Sequence, residues 1–108
     1  MPRGSFLLTL TTAGSLREAR RIAKAAVGSR ACACVNIVPN IHSIYRWKGR
    51  VEESGEFLLL LKTHRRRLAA LYRVIRKNHS YELPEILTLT ISQGEKSYLK
   101  WIEASLTH

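Results

Sequence analysis

Residues 56–63 read Glu-Phe-Leu-Leu-Leu-Leu-Lys-Thr, and residues 5–12 read Ser-Phe-Leu-Leu-Thr-Leu-Thr-Thr. Each is an apolar run of strand length that leads into an arginine-rich segment of helical period and then into another strand. After 5–12, Leu16, Ala19, Ile22, Ala23, Ala26 and Val27 recur at helical spacing, with Arg17, Arg20, Arg21 and Lys24 on the other face. Ser15 and Glu18 form a capping box at the start of this helix, 15–28, and Gly28 suits its end. After 56–63, Leu68, Leu71, Tyr72 and Ile75 make the apolar stripe of a second helix, 64–78, surrounded by Arg65, Arg66, Arg67, Arg73, Arg76 and Lys77.

Between the two halves, 32–38 predicts a strand that Pro39-Asn40 interrupts and 41–47 resumes. Lys48-Gly49 reads as a two-residue hairpin turn, 51–53 as the return strand, and Ser54-Gly55 as a bulge in it. Residues 85–91 form a last strand; Ser92 and Glu95 mark the start of a terminal helix over 95–106. The order is β-α-β, hairpin, β-α-β, helix. It predicts an α+β fold, a ferredoxin-like βαββαβ sandwich in one domain, 1–108, with both main helices on one sheet face.

The second sheet face then needs a partner. The five-residue apolar run 57–61 has the pattern of a strand buried on both sides. In the first and last strands one face carries Phe6, Leu8 and Leu10 with Leu87, Leu89 and Ile91. The other carries Leu7, Thr9 and Thr11 with Ile86, Thr88 and Thr90, and is taken as the uncharged second face. A terminal helix of twelve residues is too short to cover four strands, so the pattern predicts self-association.

Composition narrows the function. Hydrophobic residues make up 45% of the 108, too many for a disordered chain. All eight acids are Glu, which excludes an EF-hand loop, a magnesium-binding Asp and an Asp-based triad. No nucleophile–His–acid order, Gly-rich phosphate loop or paired-His motif is present, so no catalysis is expected. Cys32 and Cys34 read as small buried hydrophobes in a reducing compartment. The apolar run 6–10 is far short of a signal-peptide core or a membrane span, and a cytoplasmic protein without membrane contact is expected. The net charge of +10 predicts weak, salt-sensitive nucleic-acid binding without sequence specificity.

Four blocks carry a resemblance: residues 33–39 with 43–49; Glu56 with Leu61-Lys62-Thr63; His79-Ser80-Tyr81-Glu82-Leu83-Pro84-Glu85-Ile86; and Gly94 with Tyr98-Leu99 and Trp101. In this order and spacing the chain resembles the CutA divalent-cation-tolerance family. The resemblance implies a homotrimer, related in fold to the PII signalling proteins, that responds to metal ions through clefts between subunits. It points to His79 and Glu56 as metal ligands, for weak copper or another divalent cation. It places Asn36, Tyr45, Trp47, Lys62, Tyr81 and Glu85 in the cleft. A small anionic ligand, as in a PII-like sensor, is the alternative.

The chain departs from the family pattern at three places: Ser80 stands where Pro is usual, Thr11 where some relatives have Cys, and Asn78 where some have a second His. Acylphosphatases share the size and fold type, but residues 12–15 lack their phosphate loop. Structural roles compete at each candidate. Trp47 suits a packing anchor, Tyr81 and Pro84 a turn, and His79 a hydrogen bond to its own loop. Lys62 calls for a carboxylate partner, Glu56 or Glu85, or for a ligand. His42, His64 and His108 read as surface groups.

Overall fold

The computed structural model describes residues 4–107; His108 lies outside them. Four strands, β1 (Phe6–Ala13), β2 (Cys34–Trp47), β3 (Arg50–His64) and β4 (Ile86–Thr90), form one antiparallel sheet in the order β2-β3-β1-β4. Helix α1 (Leu16–Gly28) joins β1 to β2, and a 3-10 turn (Arg65–Arg67) followed by α2 (Leu68–Asn78) joins β3 to β4. Helix α3 (Lys96–Ser105) closes the chain. The order and pairing are those of the split βαβ, ferredoxin-like sandwich.

The local signals act largely as read. Ser15 Oγ accepts the Glu18 N–H at 3.1 Å and caps α1. Lys48 and Gly49 both take positive φ, 50° and 80°, the conformation a two-residue hairpin turn demands. At the start of the α2 segment His64 Nδ1 accepts the Arg66 N–H.

Three expectations are corrected. The bulge lies on β2, where the register slips between Val38 and Ile41; Ser54 and Gly55 pair regularly with Ser43 and His42. The reason is Pro39, which has no N–H for the ladder, and Asn40, which takes φ 59°. At α3, Glu95 is the N-cap and no side chain caps it, so the Ser92–Glu95 capping box does not form.

The third correction inverts the sheet. The face carrying Leu7, Thr9 and Thr11 lies under the helices, because Leu59, Leu61, Val35, Ile37 and Ile86 share one core with Ala19, Ile22 and Ala26 of α1 and Leu71 and Ile75 of α2. Most of the threonines there find partners for their hydroxyls inside, whereas Thr11 Oγ1 is buried without one among the described residues. Thr9 bonds Thr88, Thr88 bonds Tyr72, and Thr63 donates to the Ala31 carbonyl at 2.7 Å. The open face is the more apolar one. Its cross-strand rows run Leu89, Leu8, Lys62, Cys34 and Leu87, Leu10, Leu60, Asn36, followed by Thr12, Leu58, Val38. Helix α3 covers only one end, packing Ile102 and Leu106 on Phe6 and Ala33. Leu87 and Leu89 remain 56% and 51% exposed.

Strands β2 and β3 also outrun the sheet. β1 pairs with β3 no further than Phe57, so the hairpin from Ile41 to Glu56 projects as a two-stranded arm. Ile44 and Val51 on this arm are each 67% exposed. An isolated two-stranded ribbon is marginal in water, and apolar side chains on it ask for a surface to lie against.

Candidate functional site

A cleft of about 910 Å³ opens where the base of the arm, the end of β1 and the 81–87 segment meet. Tyr45 and Trp47 from β2, Glu56 from β3, and Tyr81, Glu82 and Glu85 from the loop before β4 line it. Register explains the meeting: Thr12 and Ala13 end β1 opposite Leu58 and Phe57, next to Glu56 on β3. The loop after α2 returns over the same corner to start β4. Pro84 sets the extended backbone that feeds Ile86 into pairing with Thr11.

The centre is a tyrosine–carboxylate pair. The Tyr81 hydroxyl donates to Glu56 Oε2 at 2.6 Å, and Glu56 is buried. Burial, reinforced by that carboxylate, pushes the Tyr81 phenol well above its ordinary value, so it remains a donor. Gly14 permits the approach: a Cβ there would stand 3.1 Å from the Tyr81 hydroxyl. Tyr45 OH reaches Ser54 Oγ at 3.3 Å, and Lys48 Nζ lies 5.7 Å from the Trp47 ring centre, so the arm's aromatics are locally tied.

His79 stands behind the cleft rather than in its lining, with its side chain fully buried. Its Nε2–H donates to the Thr12 carbonyl at 2.6 Å, and its Nδ1 accepts the Tyr81 N–H at 3.1 Å. Both ring nitrogens are thus engaged, and the ring packs on Tyr81 with centroids 4.7 Å apart. Beside it, Glu18 Oε2 accepts the Ser80 N–H at 2.5 Å and lies 3.6 Å from His79 Nδ1. A proline at position 80 would lack that donor.

Burial works to raise the Glu18 pKa. The Ser80 hydroxyl and N–H, the His79 imidazole and the Gly14 backbone outweigh it and hold the carboxyl below its ordinary value. Glu18 entered the sequence reading only as half of a capping box. Its partners 62 residues away leave no local signal.

The structure therefore gathers Glu56, Tyr81, Tyr45, Trp47 and Glu85, and sets His79 against them from behind. It does not gather Asn36 and Lys62. Lys62 Nζ bonds Asn36 Oδ1 and lies 3.7 Å from Cys34 Sγ, at the α3 end of the open face. The expected Glu56 or Glu85 partner is corrected. Glu56 is six residues along the same strand, about 20 Å away at the rise of a strand, whereas Cys34 is the direct cross-strand neighbour. Cys32 is buried as expected, and burial pushes its thiol up to about 12; Cys34 is only half-buried, and both thiols are free. Of the remaining imidazoles, His42 is exposed and lines the cleft, whereas His64 is partly buried. His64 lies 5.2 Å from the Phe6 ring and 3.7 Å from Glu103, and burial lowers its pKa.

Among the described residues no three His, Cys or Glu side chains stand close enough to cage a metal. The donors that line the cleft include three carboxylates, two phenols and the exposed His42, a mostly oxygen set that suits a loosely held, partly hydrated cation.

Comparison with known proteins bears on this arrangement. The family model for the "CutA1 divalent ion tolerance protein" matches residues 7–105. The "Divalent-cation tolerance protein CutA" of Thermus thermophilus is 46% identical over 95 residues, 88% of this chain and 92% of that protein. Its solved structure superposes with a TM-score of 0.88 over 90% of this chain and 94% of that one, at 45% identity. The structure of the "Periplasmic divalent cation tolerance protein CutA" from Archaeoglobus fulgidus gives a TM-score of 0.91 at 36% identity, over 94% of this chain and 99% of that one. "Protein CutA" of Mus musculus is 40% identical over 92% of this chain, which spans 56% of that protein's length.

Proposed function

The chain belongs to the CutA1 divalent ion tolerance family, and on that premise we propose that it is a homotrimer whose acidic, aromatic-walled cleft binds a divalent cation weakly. The observation that carries the cation reading is charge segregation. In a chain of net charge +10, Glu56, Glu82 and Glu85 converge on one cleft. On the adjoining arm Glu52 and Glu53 are balanced by Arg46, Lys48 and Arg50, so the negative charge is that of the three cleft carboxylates alone. A local negative field of this kind draws cations against the long-range repulsion of the whole chain, which salt screens beyond about 8–10 Å.

Trimerisation is supported by the uncovered leucine face and the projecting arm, which together need another copy's surface. Assembly would also bring further donors to a cleft that is incomplete in one chain. In this reading Glu56 and Glu85 contact the cation, copper or another divalent ion. His79 fixes the Tyr81 loop, and it reaches the metal only by giving up Thr12 or the Tyr81 N–H. No step of covalent chemistry is assigned; the family is described as one of divalent ion tolerance. Among the described residues no helix is long and apolar enough to cross a membrane. Cytosolic residence is part of the proposal, supported by the two free thiols.

Calorimetric titration with copper and zinc tests the site. Micromolar or weaker binding is expected, with at least a tenfold loss in Glu56→Gln combined with Glu85→Gln. Nanomolar affinity, or affinity unchanged by the paired substitution, would place the metal elsewhere. A small anionic ligand at Lys62 and Asn36 would instead show as phosphate binding lost in Lys62→Gln.

A further inference from the structure

The helical side of the sandwich carries the opposite charge from the cleft, and the metal reading makes no use of it. On α1, Arg17, Arg20 and Lys24 are exposed; on α2, Arg73, Arg76 and Lys77 are. None of these six has a carboxylate partner among the described residues. The two helices pack side by side on one sheet face, so the six cations share one outer surface. Arg21 stitches them together by donating to the Asn78 carbonyl at 2.8 Å. The only acid on α1, Glu18, is buried, and residues 65–78 contain none. The face is therefore uniformly positive. It points away from the apolar sheet face and stays open whether or not that face is covered.

We infer that the α1–α2 face is a docking surface for the phosphodiester backbone of duplex nucleic acid, bound without regard to sequence. Four of the six groups are arginines, whose planar forks match phosphate oxygens in pairs. They stand on two rigid helices: the α1 set spans seven residues, about 10 Å at 1.5 Å per residue, and the helices lie about 8–10 Å apart. That array is the size of a short stretch of backbone. A membrane surface fits less well, because an interfacial helix needs large apolar groups to insert among its cations. Here the exposed Leu16 and Val27 stand at the two ends of α1, and α2 exposes no large apolar side chain. No base-reading element accompanies the face, so contacts stop at the backbone.

Anisotropy of a labelled 20-base-pair duplex, titrated with the purified protein, tests this. Two duplexes of unrelated sequence are expected to bind equally. With about six phosphates neutralised, affinity should fall about 10³-fold between 50 and 200 mM salt. Arg20→Glu with Arg73→Glu should weaken binding at least tenfold at 50 mM salt, with the circular dichroism spectrum and the copper titration unchanged. Lys96→Glu with Lys100→Glu changes the net charge equally on exposed positions of α3 and should have a clearly smaller effect. The inference is overturned by no binding at 50 mM salt, by equal losses in the two paired variants, by preference for one duplex sequence, or by sedimentation with phosphatidylserine vesicles in place of duplex binding.

Discussion

A chain carrying Leu87→Asp and Leu89→Asp is expected to leave the assembly and run at the mass of one copy, 12.3 kDa, while keeping its circular dichroism spectrum. Both leucines stand on the edge strand β4 and are already half in water within the single chain. Their replacement costs the isolated fold little, since surface changes usually stay within about 0.5 kcal/mol. The same positions continue the open-face rows of β1, Leu87 beside Leu10 and Leu89 beside Leu8, which the proposed trimer would bury. Each leucine withdrawn from such an interface forfeits about 1.5–3 kcal/mol of burial. Each aspartate placed there adds a desolvation cost of several kcal/mol, repeated in every copy. Sedimentation velocity reads the result directly. A variant that keeps three copies would show that the leucine face is not the contact.

His79→Ala is expected to destabilise the chain by about 3 kcal/mol, within the range for emptying a fully buried, doubly bonded site. The imidazole ties two separate segments, the end of β1 through Thr12 and the cleft loop through Tyr81, while Glu18 of α1 holds the same loop through the Ser80 N–H. Its removal leaves the Thr12 carbonyl and the Tyr81 N–H unpaired next to a cavity. Glu18→Gln should cost about 1.5–3 kcal/mol at neutral pH, the worth of hydrogen bonds to a buried charge.

The two variants part company with pH. The Glu18 pKa is lower in the folded chain than its reference value of 4.5. The unfolded chain therefore takes up the proton first. The carboxylate's stabilisation is complete above that reference value and is lost as pH falls through the folded pKa. The gap between native and Glu18→Gln stability should accordingly close on acidification below 4.5. Urea unfolding at several pH values measures both effects. Full stability in His79→Ala together with lost copper binding would make the imidazole a ligand and not a tie.

The architecture was legible because its signals are local: alternating strand faces, a serine cap at 15, a Lys-Gly turn, and two apolar runs each followed by a basic helix. Which sheet face lies under the helices was not. A face of leucine and threonine looks like the wetter one, yet Thr9 and Thr88 bond each other and Tyr72 inside the core, and Thr11 is buried with no hydroxyl partner at all among the described residues. Ser54-Gly55 resembles a bulge in sequence, but proline's missing donor at Pro39 puts the bulge on β2. The cleft was half legible: the motif around Tyr81 and Glu85 marked it, and Tyr45, Trp47 and Glu56 joined it through strand register. Lys62 and Asn36 fell outside because alternation puts them on the right face but six and four residues along β3 from Glu56. Glu18 and Gly14 carried no visible functional signal, since what they do depends on chain that returns more than sixty residues later.

The central claim is that the open leucine face and the projecting arm are buried between three copies of this chain. Multi-angle light scattering of the unmodified protein at low micromolar concentration tests it most directly. The account predicts a single species at three times the 12.3 kDa of the chain; a species at the mass of one chain would contradict it.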